Sequence, residues 1–250
     1  MQNIVDRDAR LIGDVELGSR NVVEAGAIIV GPIQVGDENY FGPNCVVGAP
    51  AQDELLAENL RRDGILGDWG GSIVVGHRNV IREFATIHRG LTGETAIGND
   101  TYLMAYSHVA HDCVIRDNAK FANSVQLGGY CWIGRGAYLG LSAAIHQFTV
   151  VGGYSMVGMG SVVTQSVPPA SLLYGSPARV MRPNAVALER LGVSQTSWWE
   201  DLSAGSSSVE VPEAMMEDVR EFEAALAKAA DLRASVSAWR ATQIPPPWLR

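Results

Sequence analysis

The chain has 250 residues, 47% of them hydrophobic and 18% charged, with a formal net charge of −8. That balance is globular and not disordered, and a negative field of this size argues against a nucleic-acid partner, whose binding needs cations against phosphate. Cys45, Cys113 and Cys131 form no C-x-x-C pair and read as free thiols of a reducing compartment. The opening "MQNIVDRDAR" lacks a signal-peptide core, and no run of about 18 apolar residues offers a membrane span, so a cytoplasmic protein is expected.

From the N-terminus the spacing of aliphatic residues is six, not 3.6. Stepping by six from Val5 gives Leu11, Leu17, Val23, Ile29, Val35, Phe41 and Val47; Val75, Ile81 and Ile87 continue the series. A four-residue slip then leads through Ile97, Leu103, Val109, Ile115, Phe121, Leu127, Ile133, Leu139, Ile145, Val151 and Val157 to Val163. All 23 positions are bulky and apolar, and glycine follows many of them. Hexapeptide repetition predicts a parallel β-helix, in which each hexad is a short strand plus a corner and three hexads close one triangular coil. The count gives between seven and eight coils. A β-sandwich fits less well, because its turn signals fall every 8–12 residues.

Two stretches interrupt the pattern. Residues 48–74 form a long excursion and residues 89–96 a shorter one, and long loops on a repetitive scaffold tend to carry function. Past Val163 the hexads stop. "NAVALERLG" (184–192) predicts a short helix ended by glycine, and a polar linker follows at 203–208. In the tail, Met215, Val219, Phe222, Leu226 and Ala229 share one helical stripe, suited to docking on the coil or on a neighbouring subunit. The expected organisation is a hexapeptide-repeat β-helix over 1–175, carrying the loop 48–74, and a C-terminal helical region over 176–250.

Only five histidines occur, and "SHVAHDC" holds two of them three apart, the second followed by an acid. An imidazole beside a carboxylate serves as a general base, as part of a metal site or as a satisfied turn. Together with "GPNCVVGAPAQD", "IREFATIHRG", "LGGYCWIGRGAYLG", "AAIHQFTVVGGYSMVG" and "VPPASLLYGSPARV", this motif resembles the UDP-N-acetylglucosamine O-acyltransferases of lipid A biosynthesis. The match runs in register from about residue 10 to 192, with a looser likeness in the tail.

The resemblance implies a left-handed β-helix, a homotrimer, and transfer of an acyl group from acyl carrier protein to the 3-hydroxyl of UDP-N-acetylglucosamine or a related nucleotide sugar. The carrier's phosphopantetheine thioester is then a co-substrate, with no further cofactor and no metal. By resemblance His111 is the general base, Asp112 its orienting acid, and the backbone N–H of Gly129 the oxyanion donor. His88, His108, His146 and Gln147 match cleft positions; Asp53 matches a sugar-binding acid and Arg190 an arginine placed for the diphosphate. Met159 matches the residue at the floor of the acyl groove, where its bulk predicts a medium or short acyl chain.

Departures from the pattern bear on the acceptor. A cleft histidine of the family is Tyr130 here, a lysine is Leu55 and the second arginine of a pair is Leu191. Arg61, Arg62, Arg179 or Arg182 could compensate, and Arg89, Arg135 and Arg179 are candidates for a basic patch facing the carrier protein. The competing readings are an acyltransferase of another sugar or amino sugar, a zinc lyase resembling the γ-carbonic anhydrases, and a trimeric scaffold without activity. The spacing of His108 and His111 does not match the ligand pattern of the zinc lyases.

Overall fold

The structure is a computed structural model that describes residues 2–67, 70–91, 93–206 and 209–242. Each hexad of the sequence forms one strand of two to four residues, giving 23 from Ile4–Val5 to Val162–Val163. They stack in parallel into three faces, opened by Ile4–Val5, Arg10–Ile12 and Val15–Leu17 respectively. Partners lie one coil, or 18 residues, apart, as in Tyr102↔Lys120↔Tyr138↔Met156. The step grows to 40 across the first excursion (Tyr40↔Val80) and to 22 across the second (Val80↔Tyr102). The register is therefore preserved through both interruptions, and the extra residues are extruded at the corner between the second and third faces.

The series residues fill the prism. All of them are buried except Val5, Leu11 and Leu17, which belong to the first coil and have no coil beneath them. Side-chain alternation along a strand sends the aliphatic residue inward and its neighbour outward, so each coil adds a complete layer to one continuous core. Corners carry the second half of the repeat. From Asp100 to Gly160 every sixth residue has positive φ, with glycine only at 136 and 160. Asp and Asn accept this left-handed conformation most readily among non-glycine residues. Where it falls on aromatics, stacking offsets the strain: Phe84 stacks on Tyr106 at 5.0 Å and Tyr130 on Phe148 at 4.7 Å between ring centroids.

The solenoid runs further than the hexad series. After Val163 a step of four reaches Val167, which bridges to Val151, and a step of six reaches Leu173 in the strand Ser171–Gly175; both side chains are buried in the common core. That strand turns back into Ala178–Pro183 as an antiparallel hairpin whose turn is residues 176 and 177. The helix expected at 184–192 forms over Ala185–Arg190, with the Asn184 side chain accepting from Ala187 N–H and Gly192 in the left-handed conformation. Leu188, Trp198, Trp199, Met215 and Val219 pack together over Ala170 and cover the end of the solenoid.

The tail forms one helix, Glu213–Thr242, and its apolar stripe docks on this chain's own third face. Phe222 and Ala225 pack against Val150, with Trp132, Leu226 and Ala229 alongside. Arg135 donates to the buried Asp218 carboxylate at 3.0 Å, and Arg116 pairs with Glu221. The first excursion folds into Ala57–Asp63, a short helix flanked by single 3-10 turns, and Ala51, Leu56 and Leu60 pack on Leu91 of the second excursion. Glycines let the two excursions pass: a Cβ on Gly71 would stand 1.9 Å from the carbonyl oxygen of Gly90.

Candidate active site

At the corner between the second and third faces, His111, Gly129 and Gln147 occupy the same turn position in successive coils. Ladder bonds hold them in line, Tyr130 N–H donating to His111 O and Phe148 N–H to Gly129 O, both at 3.0 Å. Asp112 follows with φ 57°, and its carboxylate returns to the preceding ring: His111 Nδ1 lies 2.7 Å from Asp112 Oδ2. A second donor, Leu91 N–H at 2.7 Å, fixes the same oxygen, while Asp112 N–H donates to the buried Thr95 hydroxyl at 2.8 Å. The carboxylate can only accept, so Nδ1 carries the proton and Nε2 presents its lone pair.

That lone pair faces Gly129. A Cβ there would come within 2.8 Å of both His111 Nε2 and Cε1, so only glycine leaves the ring its place. The N–H groups either side of Gly129 are committed, Gly128 to Ile145 O at 2.9 Å and Tyr130 to His111 O. The N–H of Gly129 has no acceptor among the described residues. A proton acceptor and a free backbone donor thus stand side by side, the arrangement that acyl transfer requires.

The neighbouring histidines are held neutral. His88 is buried, donates from Nδ1 to Pro50 O at 2.7 Å, and leaves Nε2 buried without a partner among the described residues. Burial pushes its pKa down. His108 Nδ1 lies 2.9 Å from the Thr86 hydroxyl, and its ring meets His88 edge-on at 5.2 Å. Burial, with His88 and His111 adding to it, pushes His108 down to about 4. Tyr130 is buried between His111, which it meets edge to face at 5.0 Å, and the stacked ring of Phe148.

A cleft of about 540 Å³ opens here, and its lining brings together Asp53, His108, His111, Gly129, Tyr130 and Gln147. His88 stands behind it, and His146 is exposed, with Nδ1 at 3.0 Å from Gln147 O. Two expected residues lie elsewhere. Met159 sits at the corner between the first and second faces, 75% exposed, and Arg190 is exposed on the helix beside the solenoid's end. Neither is among the described residues of the cleft lining.

Of the arginines named for a basic patch, Arg179 is exposed on the strand Ala178–Pro183, and the other two are committed within the fold. Arg89 is buried, donating to Gly48 O at 2.9 Å, and Arg135 is tied to Asp218. Sequence reasoning missed Leu91, Thr95, Phe148 and Val236, of which Leu91, Phe148 and Val236 line the cleft. Thr95 carried a faint signal, a polar residue two places before the inward Ile97, where the next two coils have cysteine.

Comparisons with known proteins bear on the repeat and the fold. The family described as bacterial transferase hexapeptide (six repeats) matches residues 94–129. The acyl-(acyl-carrier-protein)–UDP-N-acetylglucosamine O-acyltransferase of Albidiferax ferrireducens is 41% identical over 125 residues, 49% of this chain and 47% of that protein. Its namesake in Gloeothece citriformis is 43% identical over 126 residues, 49% and 45% of the two chains. The chain spans about half the length of the curated relatives it matches.

Among solved structures, the UDP-N-acetylglucosamine O-acyltransferase of Moraxella catarrhalis superposes with a TM-score of 0.66 at 26% identity, covering 92% of this chain and 95% of that one. The Campylobacter jejuni UDP-N-acetylglucosamine acyltransferase gives 0.59 at 28% identity, covering 81% of each. The resemblance read from the motifs holds in sequence and in fold, and the fold class is the expected left-handed parallel β-helix with a C-terminal helical extension.

Proposed function

We propose that the chain is an acyltransferase that moves an acyl group from an acyl-carrier-protein thioester to the 3-hydroxyl of UDP-N-acetylglucosamine or a related nucleotide sugar. The observation that carries the reading is His111 held between Asp112 and Gly129. The sugar hydroxyl gives its proton to His111 Nε2 as its oxygen attacks the thioester carbonyl. Asp112, bonded to Nδ1, stabilises the imidazolium that forms. The carbonyl oxygen becomes an oxyanion and accepts from Gly129 N–H, a contact worth about 3 kcal/mol in the transition state. Collapse re-forms the carbonyl, breaks the C–S bond, and returns the proton from His111 to the departing phosphopantetheine thiolate.

In this reading Asp53, His108 and Gln147 bind the sugar from the cleft wall, with His88 supporting His108 from behind, His146 beside the entrance and Tyr130 as a polar aromatic wall. Neutral His88 and His108 suit contacts to hydroxyls, since each can donate or accept without a charge to desolvate. The protein acts as a cytoplasmic homotrimer with no resident cofactor. Association of the exposed faces would bring Met159 of one copy towards the cleft of the next, where it would limit acyl length, and Arg190 would face the diphosphate. Among the described residues no helix is long and apolar enough to cross a membrane.

The test is mass spectrometry of UDP-N-acetylglucosamine incubated with a mixture of acyl-carrier-protein thioesters, using wild type and His111→Ala. Acylated nucleotide sugar made only by the wild type is the expected result. Consumption of thioester without acylation of any UDP sugar would move the reading to another sugar acceptor. Inert thioesters with both proteins would remove it.

A further inference from the structure

We infer that Arg233, on the helix Glu213–Thr242, binds a phosphate group of the substrate at the mouth of the cleft. The inference rests on the acyltransferase reading and adds to it a binding residue from outside the solenoid. Two ion pairs and the apolar stripe fix the first half of the helix on the third face, Arg135 with Asp218 and Arg116 with Glu221. The second half passes the cleft, and Val236, one turn beyond Arg233, is part of the cleft lining. The Arg233 guanidinium carbon stands 5.6 Å over the ring of Phe148, itself a lining residue. Arg233, Phe148, Tyr130 and His111 form one continuous series of contacts, cation over ring, stacked rings, then edge to face, reaching the proposed base.

Charge points the same way. The described lining of the cleft contains the carboxylates of Asp53 and Glu54 and no lysine or arginine, a poor environment for an organic phosphate. Four arginines of the surrounding elements are occupied: Arg116 and Arg135 by the helix acids, Arg62 by Asp63, and Arg89 by a buried carbonyl. Arg233 has no carboxylate within ion-pair distance among the described residues. Resting on an aromatic face orients a guanidinium and leaves its N–H edge available, and that planar edge matches two oxygens of a phosphate.

Two substrates of the proposed reaction carry this chemistry, the nucleotide sugar through its diphosphate and the donor through the phosphodiester of its pantetheine arm. Equilibrium dialysis of the full chain with UDP and, separately, with 4′-phosphopantetheine separates them. The proteins are wild type, Arg233→Ala, Arg233→Lys, and Lys228→Ala as a charge control on the same helix, each checked for an unchanged thermal transition. The expected result is a loss of about tenfold in affinity for one of the two ligands in Arg233→Ala. A shallower dependence of log Kd on log salt should accompany it, with partial recovery in Arg233→Lys and no change in Lys228→Ala. The ligand affected identifies the source. Equal affinities of wild type and Arg233→Ala for both ligands would overturn the inference and leave the acyltransferase reading standing. A wild type with no affinity for either ligand would overturn both.

Discussion

Two edges of the same solenoid use the same turn for opposite ends. At the corner between the third and first faces, the backbone N–H at the second turn position is satisfied by a side chain of the next coil. Ser19 N–H donates to Asp37, Asp37 N–H to His77 Nδ1, and His77 and Asn99 N–H to the oxygens of Asn99 and Asp117, all within 2.7–2.9 Å. Two places on, a buried ladder of Asn21, Asn39, Asn79 and Thr101 closes the remaining donors. At the corner between the second and third faces, the equivalent N–H of Gly129 is left open, and the side chains at 111 and 112 bond to each other. Polar groups at one edge are spent on stability, whereas at the other they are held ready for a ligand. The contrast separates two histidines in identical turn positions: His77 caps a backbone donor, while His111 presents a lone pair to a cleft.

If the edges divide labour in this way, substitutions at each should fail differently. The largest expected effect is His111→Ala, which removes the proton acceptor and should lower kcat by about 10²–10⁴-fold with little change in thermal midpoint. A fall in stability matching that of a core substitution would make His111 a structural residue like His77. Gly129→Ala comes next. Its methyl would displace the His111 ring and crowd the oxyanion position, so turnover should fall by about 10²-fold while the hexad ladder, which uses only backbone atoms here, survives. Unchanged turnover in that variant would remove Gly129 from the site.

Asn39→Ala at the opposite edge should do the reverse. The change strands the N–H of Asn79 and the carbonyl of Gly76, which Asn39 Nδ2 reaches at 2.9 Å. Leaving such buried groups unsatisfied costs about 3 kcal/mol, visible as a lower denaturant midpoint with unaltered turnover per folded molecule.

The repeat explains what could be read in advance. An inward aliphatic every six residues is dictated by the shape of the coil, so all 23 positions of the series correspond to strands. The continuation through Val167 and Leu173 was hidden because the step shortens to four at Val163, and the two prolines at 168 and 169 suggest an exit. The site divides in the same manner. His111, Asp112 and Gly129 lie within local motifs tied to the hexad register, and the corner between the second and third faces gathers them. Leu91 and Val236 come from an excursion and from the tail, whose positions depend on packing between distant segments and leave no periodic trace. Arg89 misled for a related reason: its charge suggests the surface, but the register places it under the first excursion.

The smallest effect expected is in pH dependence, and it bears on why the cleft edge tolerates buried imidazoles. His108 is neutral in the folded protein, held down to about 4, whereas in an unfolded chain histidine titrates near its ordinary value of about 6.5. Between those values the unfolded state binds the extra proton, so stability rises with pH. The contribution is fully present above about pH 6.5, is lost progressively as pH falls towards 4, and is constant below that. Its upper limit is about 3 kcal/mol, reduced by solvent reaching the partly exposed ring.

His88, also depressed by burial, acts in the same direction. Asp218 acts in the opposite one, because burial raises its carboxyl and its folded form gains protons first. The informative quantity is therefore the difference between wild type and His108→Gln in urea midpoint at pH 7.5 and pH 5. Wild type should lose more stability over that interval, because glutamine can keep a hydrogen bond to Thr86 but has no proton to gain. Equal losses would mean that His108 is solvated in the folded state and that the cleft edge, like the capped edge, exposes its histidine to water.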